Sequence, residues 1–152
     1  MKTIALKTQL LDYCNKQIET RFIKIKQTIS DIEESLFEES KSSSGDKHET
    51  SRAMLQIDRE NAGRQLQEIE KLSAILPRIN VEISSDYARL GSLIYTDKFI
   101  YFISVSVGPV AVEGVQYLCV ALNSPVGSLI LGKKKDEEFN FNGNSHKILE
   151  VK

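Results

Sequence analysis

Leu6, Leu10 and Tyr13, and then Phe22, Ile25, Ile29, Ile32 and Leu36, recur at steps of three and four residues. That interval lines one face of a helix and is incompatible with the alternation of a strand. The spacing predicts a first helix over residues 3–39. The run Lys41-Ser42-Ser43-Ser44-Gly45-Asp46 then breaks it, because serines compete for backbone hydrogen bonds and glycine can take a positive φ. Met54, Ile57, Leu66, Ile69, Leu72 and Leu76 resume a helical step, with Asn61 on or near the seam, and predict a second helix over 47–74. At 1.5 Å per residue a helix of roughly 35 residues is about 50 Å long, so two joined by a short turn within 42–46 must run antiparallel. The reading is a helical rod with Gly45 near its tip.

Beyond Pro77 the pattern changes. Runs rich in Val, Ile and aromatic residues over 98–107 and 115–122 read as paired strands joined by a turn that contains Gly108, Pro109 and Gly114. Ser124 and Pro125 open a short helix as N-cap and first helical residue, and Gly132 closes it. Residues 138–141 and 147–151 form a hairpin around Asn142-Gly143-Asn144-Ser145. A small twisted sheet with one helix against it follows. All three prolines lie in this half, and a proline disfavours helix at the residue before it. The expected division is therefore 1–76, a two-helix antiparallel coiled coil with its tip at 45–49, and 77–152, a β-rich domain, giving an α+β chain.

Charge and composition narrow the function. Twenty basic and twenty-one acidic residues among 152 give a net charge of −1, which removes the phosphate-neutralising excess on which free nucleic-acid binding depends. The apolar stretch 99–112 is too short and too interrupted to cross a bilayer, and the N-terminus has no continuous signal core, so a cytoplasmic protein without membrane contact is expected. Cys14 and Cys119 are far apart and without a metal-ligand spacing, and read as reduced, buried thiols. His48 and His146 have no partners at zinc spacing, and no phosphate-loop, dinucleotide or nucleophile-elbow pattern occurs. Most enzyme classes are thereby excluded.

One arrangement at the tip stands out. Asp46 and Glu49 are three residues apart at the start of the second helix, close enough to share one cation. The same residues also have local duties, Asp46 as N-cap and Glu49 as an acid meeting the helix dipole. Two carboxylates on an exposed tip cannot complete an octahedral Mg²⁺ shell, so metal chemistry there would have to be completed inside another molecule. Asp31, Glu33, Glu34, Glu38 and Glu39 on the first helix face Arg52, Arg59 and Arg64 on the second as expected cross-helix ion pairs.

Gly45-Asp46-Lys47-His48-Glu49 and the segment 123–133, with Ser124, Pro125, Val126, Gly127, Leu131, Gly132 and Lys133 in place, together resemble the GreA/GreB family of bacterial transcript cleavage factors over nearly the whole chain. That family joins an N-terminal coiled coil with a G-D-x-x-E tip to an FKBP-like domain carrying S-P-[IV]-[GA]-x-x-[IL]-[IL]-G-K. The resemblance implies docking on RNA polymerase through the second domain, chiefly Ser124, Pro125, Val126, Gly127 and Lys133, and entry of the coiled coil into the secondary channel. It implies that Asp46 and Glu49 help hold an Mg²⁺ ion shared with the polymerase, which then hydrolyses the nascent RNA at its backtracked 3′ end. The chain is then not an enzyme by itself, and Arg52, Arg59 and Arg64 are candidates for guiding the RNA. After Glu49 the family continues N-A-E-Y, whereas this chain has Thr50-Ser51-Arg52-Ala53, and Lys47 replaces a usual apolar residue. Two alternatives stay open: a Gre-like secondary-channel regulator without strong cleavage, and a coiled-coil adaptor unrelated to transcription.

Overall fold

The computed structural model describes residues 2–41 and 45–152, apart from the side chains of Asp46 and Lys47. Helix α1 spans Thr3–Ser40 and α2 spans Gly45–Ile75, after which a 3₁₀ turn over Leu76–Arg78 places Pro77 where its missing N–H costs nothing. The strands are β1 (Leu93–Thr96), β2 (Ile100–Ser104), β3 (Gly108–Val112), β4 (Val115–Ala121), β5 (Glu138–Phe141) and β6 (Asn144–Val151), with α3 (Pro125–Ile130) between β4 and β5. The chain is therefore α+β, with its two long helices ahead of a six-stranded mixed sheet. Among the described residues no helix is long and apolar enough to cross a membrane.

Contacts divide the chain into two compact units. One contains Ile18–Ser73, and the other contains the chain up to Gln17 together with Ala74–Lys152. The return into the second unit falls three residues before the expected junction at Pro77, while the first turns of α1 group with the sheet.

In the helical unit Ile25 and Ile29 of α1 are buried against Ala62 of α2, flanked by Ile32, Leu66 and Ile69. Glu33 pairs with Arg59 and Glu39 with His48, so positions rising along α1 meet positions falling along α2, as an antiparallel pair requires. The seam on α1 is the expected one. On α2 it is not: Met54 and Ile57 are exposed, and the inward positions are Leu55, Arg59 and Ala62. Stepping back from Leu66 by fours and threes reaches Ala62, Arg59 and Leu55, so a small residue and a paired arginine hold places that the large apolar side chains were expected to hold.

The sheet has the order β3-β4-β2-β1-β6-β5. β2 and β4 pair as expected, but in parallel, Tyr101 opposite Leu118 and Ser104 opposite Ala121. The intervening segment is not a simple turn. Gly108–Val112 is strand β3, antiparallel to β4, with Val110 and Val112 buried and Pro109 exposed. A proline is tolerated there because β3 is an edge strand, whose outward side needs no donor. β1 is a further strand, short and pinned between β2 and β6. The expected closing hairpin is present, with Asn142 and Gly143 both at positive φ in its two-residue turn.

Both faces of the sheet are covered. Ala88, Ile94, Tyr101, Ile103, Phe139 and Ile148 form one core with Val126 and Ile130 of α3. Alternation sends Phe102, Ser104 and Cys119 to the opposite face, where Cys14 of α1 meets Ser104 and Cys119.

Candidate functional site

The turn between the helices and the carboxylate of Asp46 lie outside the described residues. The flanking backbone is described. Gly45 has φ +63°, which glycine adopts without a Cβ penalty, and α2 begins at that residue. Asp46 is therefore inside the first turn of α2 rather than its N-cap, and Glu49 follows three residues on with an exposed side chain. The imidazole Nδ1 of His48 pairs with the Glu39 carboxylate, tying the start of α2 to the last turn of α1. Among the described residues no group of three or more His, Cys, Asp or Glu is gathered as a metal site, and the Asp46 carboxylate is not one of the groups described.

The three arginines separate. Arg59 donates from Nε to Glu33 at 3.1 Å and is taken up by the helix pairing. Arg64 donates to the side-chain oxygen of Asn61 and, with Arg21 and Lys24, borders a groove of about 750 Å³ floored by Ile25, Ile69 and Leu72. Arg52 is exposed one turn beyond Glu49.

The segment after β4 is built by local chemistry. The Ser124 hydroxyl accepts the Gly127 N–H at 3.0 Å and donates to the Ala121 carbonyl at 2.6 Å, while Pro125 occupies the first helical position. Val126 and Gly127 are buried. A Cβ on Gly127 would meet the Ala121 carbonyl oxygen, so only glycine lets α3 lie this close to the end of β4. Past α3, the Gly132 N–H donates to the Ala88 carbonyl and the Ala88 N–H donates to the Lys133 carbonyl, both at 2.8 Å. Gly132 has φ +81°. This reciprocal pair fixes where Lys133, half-buried, leaves the segment.

Of the residues expected to dock a partner, Ser124, Val126 and Gly127 thus shape the segment from within. Of Leu129, Ile130 and Leu131 only Ile130 reaches the core; Leu129 and Leu131 are exposed. A six-residue helix presents one narrow stripe, and the four-residue step from Val126 to Ile130 uses it. The neighbours of Ile130 must then point elsewhere, and that same step was the signal by which these two outward leucines could have been found.

No known protein family profile matches the chain, and no curated protein matches it. Among solved structures it is similar to one described as the structure of the transcription factor Gfh1, at 13% identity and a TM-score of 0.36, over 90% of this chain and 92% of that one.

Proposed function

We propose that this chain is a Gre-type transcription factor that binds RNA polymerase, reaches its secondary channel with the helical hairpin and stimulates cleavage of backtracked RNA. The observation that carries this reading is the coexistence of two separated segments in one chain. A helix pair has Gly45 and Glu49 at the start of its second helix, and a sheet domain has a Ser124-capped helix whose every motif residue has a defined place. On this reading the exposed Leu129 and Leu131, carried on a rigidly clamped segment, supply the apolar contact to polymerase, and Lys133 stands beside them.

The chemistry belongs to the polymerase. An Mg²⁺ ion held jointly by its carboxylates and by Asp46 and Glu49 would supply the activated water for phosphodiester hydrolysis. This chain contributes negative charge at the start of α2, where the helix dipole already favours acids. Lys47, Thr50 and Ala53 depart from the family tip, and they favour a second reading in which the protein occupies the channel and alters initiation or pausing without strong cleavage.

The test is a stalled, backtracked elongation complex incubated with the full chain, scored for shortening of the RNA from its 3′ end. The joint replacement Asp46→Asn with Glu49→Gln is expected to abolish cleavage and leave polymerase affinity nearly unchanged, because amides keep size and lose charge. Leu129→Ser with Leu131→Ser is expected to weaken binding at least tenfold. Binding without cleavage by the wild type selects the second reading. Absence of binding leaves the adaptor and rejects both.

A further inference from the structure

We propose that Cys14 and Cys119 form a dithiol that a hydroperoxide converts to an internal disulfide, a covalent modification site joining the first helix to the sheet. The two residues come from α1 and β4 and converge on the sheet face opposite α3, where Cys119 stands opposite Phe102 in the β2–β4 register, on the same side of the sheet as Ser104, the residue that the Cys14 sulfur contacts. The Ser104 hydroxyl lies 3.5 Å from the Cys14 sulfur and reaches the Phe102 carbonyl at 3.4 Å. Cys14 is 0% and Cys119 1% exposed, so neither is available to large electrophiles or to a second copy of the chain.

A buried cysteine in apolar surroundings is inert, and its thiol is pushed up by burial. Cys14 differs because polar groups surround its sulfur. The hydrogen bond from Cys119 foremost, opposed by burial and helped by Ser104 and the Val105 backbone, brings the Cys14 thiol down to about 7. The same pairing and burial push the Cys119 thiol up. In the proposed reaction Cys14, whose sulfur also faces the Ser104 hydroxyl, is the attacking thiol and Cys119 the resolving one.

The chemistry balances with hydrogen peroxide as oxidant. The Cys14 thiolate attacks one peroxide oxygen, the O–O bond breaks, and the departing hydroxide takes a proton to become water, leaving a sulfenic acid on Cys14. The Cys119 sulfur then attacks the Cys14 sulfur. An S–S bond forms, the S–O bond breaks, and the second hydroxide leaves as water with the Cys119 proton. Two thiols lose two electrons and two hydrogens, and one peroxide becomes two waters. Access for so small a molecule requires only local opening of the helix start.

The experiment treats the full chain with hydrogen peroxide, denatures it in excess maleimide, and analyses tryptic peptides by mass. Exposed Met54 reports the dose through its sulfoxide. The expected result is a Cys14–Cys119 cross-linked peptide, two hydrogens lighter than its parts, restored by dithiothreitol, together with a raised melting temperature of the oxidised monomer. In Cys119→Ser, Cys14 should form a sulfenic acid trapped by dimedone. In Cys14→Ser, Cys119 should react at least tenfold more slowly. Maleimide on both cysteines after Met54 is fully oxidised, separate sulfinic or sulfonic acids without the cross-link, or an intermolecular disulfide would each overturn the proposal. None of these readouts involves polymerase, so the result stands apart from the proposed function.

Discussion

A Cβ on Gly127 would stand 2.0 Å from the carbonyl oxygen of Ala121. The obstacle is backbone at the end of β4, held there by the Ser124 N–H and hydroxyl, and it cannot rotate away as a side chain would. Gly127→Ala is expected to cost about 3 kcal/mol, the upper part of the usual overpacking range. Gly132→Ala meets open space and pays only for φ +81°, about 1–2 kcal/mol. Urea unfolding of the two variants should rank them in that order.

Lys7 is 1% exposed, and among the described residues its amine reaches the Ile83 carbonyl alone, at 3.4 Å. Burial first, and then the Arg89 guanidinium, pull its pKa below the usual lysine value. Lys7→Met, which keeps length and removes the charge, should stabilise the protein at pH 7 by about 1 kcal/mol or more. Between the lowered folded value and 10.5 the unfolded chain holds the extra proton, so wild-type stability rises with pH. The advantage of Lys7→Met should therefore shrink as pH is raised toward 10.5, as thermal denaturation across that range would show.

His146 is 3% exposed and stacks on Phe139, its partner across the β5–β6 pair, with ring centroids 4.9 Å apart and an interplanar angle of 11°. Burial foremost and the Lys98 ammonium hold its pKa below 6.5, against an opposing pull from Asp97. Below 6.5 the unfolded chain binds a proton that the folded imidazole refuses, so stability is lost as pH falls from 6.5 toward the folded value. His146→Phe retains the stack and should flatten that loss. Lys98→Met should raise the His146 titration midpoint, read by NMR.

The helix pairing makes a register test. Ile57→Ser should change stability by less than about 0.5 kcal/mol because Ile57 is exposed. Ile29→Ala should cost about 2–4 kcal/mol because Ile29 is buried with Ile25 and Ala62. Equal effects would mean that α2 presents the Met54–Ile57 face to α1 after all.

What could be read in advance was what local chemistry encodes. Ser124, Pro125 and Gly132 announced α3 because a cap, a fixed φ and a positive φ are decided within a few residues, and Asn142-Gly143 announced the closing turn for the same reason. The seam of α1 was legible because its residues are large. That of α2 differs from the expected one because Ala62 and Arg59 occupy it, one inconspicuous and the other a half-exposed base paired with Glu33. Gly108-Pro109 looked like a turn because edge position, which excuses a proline, is a property of the finished sheet. The parallel pairing of β2 with β4, the four-residue β1 and the meeting of Cys14 with Cys119 are decided by partners distant in sequence. At the candidate site the motif residues were identifiable, but their division into inward Val126 and Ile130 and outward Leu129 and Leu131 depended on where the sheet lies.

The sheet unit is assembled from two pieces of chain with the helical unit between them, and this ordering governs synthesis. Leu6, Leu10 and Cys14 leave the ribosome ahead of residues 18–73, yet the strands of their own unit are made only after that segment has followed. The hairpin can close as soon as α2 is complete, because all its partners are by then available. The sheet must wait longer still: β6 lies between β1 and β5, and Leu93 exchanges backbone hydrogen bonds with Lys152 in both directions at 2.9 Å. Until β2 and β4 arrive, the apolar face of the first turns of α1 has no sheet to cover, and a nascent chain stalled before Ile100 exposes it.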